Sequence, residues 1–225
     1  CFTGNPNCGK TTLFNAYTGA GKKTANWPGV TVELSEGSLM HRGRPVRLVD
    51  TPGIYSLDPY TMEETVTRQC IRDQKADVII HVADALLLER SLFLTMQLLA
   101  EGKPLVLALN MMDLVRERGM DIDTEGLSRL LGGIPVIPVS ARRRTGLEEL
   151  MDAAVEAARA RRTADGSGRF VSGARYSVYR SHSARSDGPA YGDGPSGSGG
   201  SWHGPVSARE LHDRARQLAA ACIRY

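Results

Sequence analysis

The chain has 225 residues, 41% of them hydrophobic and 24% charged, enough for one α/β domain with a sizeable core and something smaller beside it. Four cysteines, Cys1, Cys8, Cys70 and Cys222, form no C-x-x-C pair and no His/Cys metal spacing, which argues against structural zinc and suits a reducing compartment. The longest charge-free apolar stretch, around Ser91 to Ala100, is far short of the roughly 20 residues of a membrane helix, so the piece is expected to be soluble on its own.

The first element is the tail of a strand, Cys1-Phe2-Thr3, running into Gly4-Asn5-Pro6-Asn7-Cys8-Gly9-Lys10-Thr11. That octet fits G-x-x-x-x-G-K-[ST], a loop whose backbone N–H groups turn inward on phosphate oxygens ahead of a helix N-terminus. Lys10 is placed to reach β/γ-phosphates and the Thr11 hydroxyl to ligate Mg²⁺, with Thr12 beside it. Cys8 reads either as an oxidation-sensitive thiol or as a small filler, and the filler is favoured because nothing in the sequence lowers its pKa. The helix begun at Thr12 is stopped by Gly19. No initiator methionine precedes the strand, so the chain reads as a piece of a longer one. With so short a first strand, it is expected to lean on bound nucleotide for stability.

Next, Asn26-Trp27-Pro28-Gly29-Val30-Thr31-Val32-Glu33 reads as a loop able to bring Thr31 onto Mg²⁺ and a γ-phosphate in one nucleotide state only. Thr31 is also able to be the first residue of the following strand. Thr31 to Met40 and Pro45 to Asp50 form an antiparallel hairpin about the turn 41–44. The second strand delivers Asp50-Thr51-Pro52-Gly53 at its C-terminal end, where open α/β sheets bind ligands. Asp50 would hold Mg²⁺ through water, and the Gly53 amide would sense the γ-phosphate.

Beyond the hairpin, 78–83, 105–109 and 134–139 are short apolar runs separated by helical stretches at about 63–74, 88–101 and 123–131, the pattern of parallel strands buried on both faces. His81, inside the first run, reads as a core histidine. Asn110-Met111-Met112-Asp113 closes the second run and fits N-x-x-D. The Asp113 carboxylate can accept from guanine N1–H and the 2-amino group, whereas adenine has no 2-amino group and an acceptor at N1, so the pattern selects GTP and GDP. Ser140-Ala141, after the third run, completes a base pocket through a backbone N–H.

A capping box at Thr145 and Glu148 opens a helix with apolar positions Leu147, Leu150, Met151, Ala154, Val155 and Ala158. These elements predict a three-layer α/β/α P-loop GTPase domain with a mostly parallel mixed sheet over residues 1–161. Residues 162–205 read as a flexible linker: 22 of the 43 residues from Thr163 to Pro205 are Gly, Ser or Pro. Residues 206–225 hold a short amphipathic helix, capped by Ser207 and Glu210, whose stripe Leu211, Ala215, Leu218, Ala219 and Cys222 docks on, or leads into, something absent from the chain. The +3 net charge is uneven, −3 over residues 1–158 and +6 over 159–225. Seven arginines from Arg159 to Arg185 suit RNA, the anionic inner face of a membrane, or a merely solvated tail.

Residues 1–160 resemble the cytosolic G domain of the ferrous iron transport protein B family beyond the generic GTPase motifs. The wording is shared at Gly4 to Asn15, at Asn26 to Glu33, at Asp50-Thr51-Pro52-Gly53-Ile54-Tyr55-Ser56-Leu57 and at Leu88-Glu89-Arg90-Ser91-Leu92. The resemblance implies a GTPase with Lys10, Asn7, Thr31 and Gly53 as its catalytic residues and Thr11, Thr31 and Asp50 around Mg²⁺. The phosphate loop Gly4 to Thr12, with Asp50, Gly53, Asn110, Met111, Asp113, Ser140 and Ala141, would bind the nucleotide. Ile54 stands where Ras-like proteins carry a water-aiming glutamine, and related potassium-activated GTPases use K⁺ instead. Asn7, with backbone carbonyls of the 24–31 loop, is then the expected K⁺ site.

The resemblance also implies a downstream membrane transport domain of the same full-length protein, small cytosolic iron-transport accessory proteins, and self-association as partners. The expected location is the cytoplasmic face of the bacterial inner membrane. The linker stands where most of the family's helical regulatory domain belongs, so that domain's role is not carried over. Two alternatives stay open. One is a soluble RNA-directed GTPase of ribosome assembly or tRNA modification, against which the tail lacks aromatic interleaving, making nucleic acid a disfavoured partner. The other is a nucleotide switch without useful catalysis.

Overall fold

The computed structural model describes residues 1–19, 23–26, 32–72, 76–167 and 207–224. Thr31, the 27–30 stretch and residues 168–206 lie outside the described residues, and with them the switch reading of Thr31 and most of the expected linker. Strand β1 (Phe2–Gly4) leads into helix α1 (Lys10–Thr18), and β2 (Lys23–Asn26), β3 (Glu33–His41) and β4 (Arg44–Asp50) follow. Then come α2 (Met62–Arg72), β5 (Ile79–Asp84), α3 (Leu88–Ala100), β6 (Leu105–Asn110), α4 (Met112–Glu117), β7 (Asp121–Ile122), α5 (Thr124–Leu130), β8 (Val136–Pro138) and α6 (Leu147–Ser167). Helix α7 (Ala208–Cys222) and β9 (Ile223–Arg224) close the described chain.

Seven strands form one sheet in the order β2-β3-β4-β1-β5-β6-β8, antiparallel across β2/β3/β4 and parallel elsewhere. The apolar runs explain the layers. In β6, Leu105, Leu107 and Leu109 enter the core on one face while Val106 and Ala108 enter the core on the other. A strand with side chains of period two that is apolar at every position has to be covered on both faces. Leu13 and Phe14 of α1 with Leu150, Met151 and Ala154 of α6 cover one side; α2 to α5 and α7 cover the other. The three-layer α/β/α fold with a mostly parallel mixed sheet is therefore the fold of this chain.

Helix α7 docks on the domain itself. Ala215, Leu218, Ala219 and Cys222 are buried in the same core as Leu92 and Leu94 of α3. His212 stacks on Phe93 at 4.0 Å between centroids, and Arg216 Nε donates to Glu89 Oε1 at 3.2 Å. Its end is pinned by the antiparallel β7/β9 pair and by the Asp123 N–H, which donates to the Cys222 carbonyl at 2.9 Å. The Ser207/Glu210 capping box is formed.

Two local expectations shift. Helix α6 starts at Leu147 rather than with a cap at Thr145, because the Thr145 backbone is taken by a two-way bridge to Ser140 (3.1 and 3.2 Å). At its other end α6 continues to Ser167, past the expected boundary at Arg161. No described helix is long and apolar enough to cross a membrane.

Candidate functional site

Parallel strands end together, so the loops after β1, β4, β6 and β8 converge on one edge of the sheet. The loop after β1 bends through two left-handed residues, Asn7 (φ 65°) and Gly9 (φ 84°). Gly9 is required twice over: its φ disfavours an L side chain, and a Cβ there would lie 2.3 Å from Asn110 Nδ2. Asn7 and Thr12 are exposed, Pro6 half-buried, and Gly4, Asn5 and Cys8 buried. Both side-chain amide atoms of Asn5 are without a hydrogen-bond partner among the described residues. Burial pushes the Cys8 thiol up to about 11, which agrees with the filler reading.

Lys10, at the first turn of α1, is buried and donates through Nζ to Asp50 Oδ1 and to the Thr51 carbonyl. Thr11 Oγ1 donates to Asp50 Oδ2 at 3.1 Å. The end of β4 is laced to β1: the Thr51 N–H donates to the Phe2 carbonyl at 3.1 Å and the Ile54 N–H to the Gly4 carbonyl at 3.0 Å. One ammonium, one carboxylate and one hydroxyl thus meet beside the loop after β1, and Gly53 lies between the two lacing bonds. Thr31 lies outside the described residues.

The second half of the site is organised by Asn110. Its Nδ2 donates to the Cys8 carbonyl at 2.9 Å and its Oδ1 accepts from the Ala141 N–H at 3.0 Å. The end of β6 therefore clasps both the first loop and the loop after β8. Met111 takes a left-handed turn (φ 68°) that starts α4 and carries Asp113 back toward the same edge. Asp113 is 7% exposed, and its Oδ2 has no hydrogen-bond partner among the described residues. Arg143 stands 3.6 Å away, an ion-pair distance rather than a hydrogen bond. A buried carboxylate oxygen without a donor is costly unless a ligand supplies one. Ser140, 1% exposed, accepts through Oγ from the Arg143 N–H at 3.1 Å and so shapes the turn.

Two participants escaped the sequence reading. The Thr51 carbonyl, which takes a Lys10 hydrogen bond, sits inside the D-x-x-G word but as backbone. Arg143 contacts Asp113 only because the turn after Ser140 brings it back, and spacing offered no sign of that.

The Fe(2+) transporter FeoB of Legionella pneumophila (strain Paris) is 48% identical over 151 residues, 65% of this chain and 20% of the relative, so the chain spans about a fifth of that protein's length. The cytosolic domain of the T. maritima FeoB iron transporter in a GDP form superposes with a TM-score of 0.68 at 43% identity, covering 70% of this chain and 61% of that one. The separately solved T. maritima G domain gives 0.65 at 41% identity, over 70% of this chain and 96% of that one. Residues 1–154, more than half of the chain, match the family described as ferrous iron transport protein B, and the chain belongs to that family.

Proposed function

We propose that the chain is the GTP-binding and GTP-hydrolysing cytosolic module of a ferrous iron transporter, activated by K⁺. The observation that carries the reading is the Asn110 clasp, which holds the phosphate loop and the Ala141 loop at fixed separation and leaves the buried Asp113 oxygen in want of a donor. Guanine offers two such donors, N1–H and the 2-amino group. The relatives support the larger context: one is named a ferrous iron transporter, and the solved T. maritima domain holds GDP.

The phosphate loop, Gly4 to Thr12, receives the phosphates on its amides, and Lys10 moves from Asp50 and Thr51 to the β/γ-phosphates. The donor set fits Mg²⁺: the Thr11 hydroxyl and the Asp50 carboxylate, hard oxygen ligands, already meet at 3.1 Å, and Thr31 supplies a third oxygen. Mg²⁺, when bound, neutralises charge developing between the β- and γ-phosphates. Gly53 reports the γ-phosphate through its N–H, and Ser140 and Ala141 line the base with Asn110, Met111 and Asp113. Asn7 is exposed at the loop's tip, where its amide oxygen suits K⁺. Residues 1–161 act as the G domain, 162–205 as the linker and 206–225 as an amphipathic helix leading into the membrane part. The membrane transport domain of the full-length protein, with accessory iron-transport proteins and a second copy, supplies the partners, at the cytoplasmic face of the inner membrane.

The test is steady-state phosphate release with Mg²⁺, from GTP and from ATP, in KCl and in NaCl. GTP-selective turnover that is faster in KCl is expected. Equal turnover of ATP removes the nucleotide reading, and equal rates in the two salts remove the K⁺ site alone.

A further inference from the structure

At the sheet edge opposite the nucleotide loops, where β1 and β5 begin, lies a cavity of about 480 Å³. It is walled by β4 residues Val46 and Leu48 and by Met151 and Ala154 of α6, and both Cys1 and Cys70 line it. Cys1 is half-buried at the start of β1, and Cys70 is 4% exposed in the last turn of α2. Both are thiols, with sulfurs 3.9 Å apart although 69 residues separate them in sequence. The other two cysteines are placed differently: Cys8 and Cys222 are each 1% exposed and line neither wall of this cavity.

We propose that Cys1 and Cys70 are a reversible oxidation site that closes to a disulfide between β1 and α2. The sulfurs need to approach from 3.9 Å to about 2.05 Å, which side-chain rotation on two facing elements supplies. The oxidant is hydrogen peroxide, small enough to enter the cavity. The Cys1 thiol, the more exposed of the two, gives sulfenic acid and one water; Cys70 then attacks that sulfur, forming the S–S bond and releasing a second water. Two thiols lose two electrons and two protons, and the peroxide O–O bond takes them up. The bond joins the strand that feeds the phosphate loop to α2, the helix reached through the segment after Gly53, whose Ile54 N–H already donates to the Gly4 carbonyl of β1.

The test treats the 225-residue chain with hydrogen peroxide, alkylates remaining thiols after unfolding, and maps peptides with and without reductant. A Cys1–Cys70 linked peptide is expected, lighter by two hydrogen atoms, recovered as two thiols by dithiothreitol, formed equally in a Cys8→Ser, Cys222→Ser double variant and absent from Cys70→Ser. In Cys70→Ser, Cys1 stops at sulfenic acid and is captured by dimedone. Links through Cys8 or Cys222, sulfinic acid at Cys1 with Cys70 still alkylated, or four alkylated thiols after treatment each overturn the proposal.

Discussion

Replacing Asp113 by Asn tests the base pocket at its most exposed assumption. The substitution is nearly isosteric and breaks no hydrogen bond to Oδ2, which has no such partner among the described residues. It does remove a charge 3.6 Å from Arg143, whose side chain is 58% exposed, an interaction worth under about 1 kcal/mol. Folding stability is therefore expected to change little. Binding is another matter: on the proposed reading the carboxylate accepts two hydrogen bonds from guanine, each to a charged acceptor and worth roughly 1.5–3 kcal/mol. An amide keeps one acceptor and turns its NH₂ against the 2-amino group, so about 3–4 kcal/mol is lost, on the order of 10²–10³ in Kd. With a xanthine base, which carries a carbonyl oxygen in place of the 2-amino group, that NH₂ finds an acceptor and the preference reverses. Competition of GDP and XDP against a fluorescent GDP, read beside a thermal melt, decides it. A GDP affinity within a factor of about 3 of the original with the melt unchanged, or an equal loss for XDP, would refute the role of Asp113.

Asn110→Ala removes the donor to the Cys8 carbonyl and the acceptor of the Ala141 N–H, leaving two buried groups unpaired. The expected cost is about 2–4 kcal/mol in urea unfolding, accompanied by weaker GDP binding; loss of binding without loss of stability would contradict the clasp. His81 is fully buried in the core beside Thr95, and burial lowers its pKa from 6.5 to about 3. The unfolded chain takes up this proton and the folded chain does not, so the stability is whole above about pH 6.5 and declines as pH falls toward 3. By pH 5 the loss is about 2 kcal/mol, measured by urea titrations at pH 7 and 5, and a His81→Gln variant is expected to lack that part of the decline.

The phosphate loop was legible because backbone amides can cradle an anion only with glycine at fixed places, and Gly9 shows the reason twice, in its φ and in the closeness of Asn110. Asp50, Asn110 and Ser140 were legible because each closes an apolar run, and runs buried on both faces mark parallel strands whose ends share one edge. The role of Asn110 was only half legible. Its pattern places it at the base, while its side chain spends both hydrogen-bonding ends inside the protein, on residues 102 and 31 positions away. Strands β2, β7 and β9 could not be read, being too short for period two and defined by pairing alone; Ile122 meets Ile223 only after the chain has returned. Nor could the stripe of α7 name its receptor, since apolar periodicity gives a face and not a partner.

Ile54 closes the argument about catalysis. The position after Gly53 is where a water-aiming glutamine would stand, and the natural expectation is that installing one accelerates hydrolysis. The structure argues otherwise. Ile54 is 2% exposed and packed in the core that includes Ile71 of α2 and Leu92 of α3, while its N–H is held by the Gly4 carbonyl at 3.0 Å. A glutamine there loses the burial of the isoleucine side chain, about 1.5–3 kcal/mol, and leaves an amide in an apolar site at about 1–3 kcal/mol more. Reaching the phosphates would further require the backbone to leave Gly4. Ile54→Gln is therefore expected to unfold several degrees lower and to hydrolyse GTP no faster, whereas Tyr55→Gln, at a 44% exposed residue whose packed partner is Arg90 at 4.0 Å, is expected to stay folded. Phosphate release and thermal melts on both variants separate the cases. An Ile54→Gln protein with an undiminished melt and a raised rate would mean that this segment turns outward in the working enzyme, and that the inward pose of Ile54 is not what obliges the site to draw its catalytic charge from elsewhere.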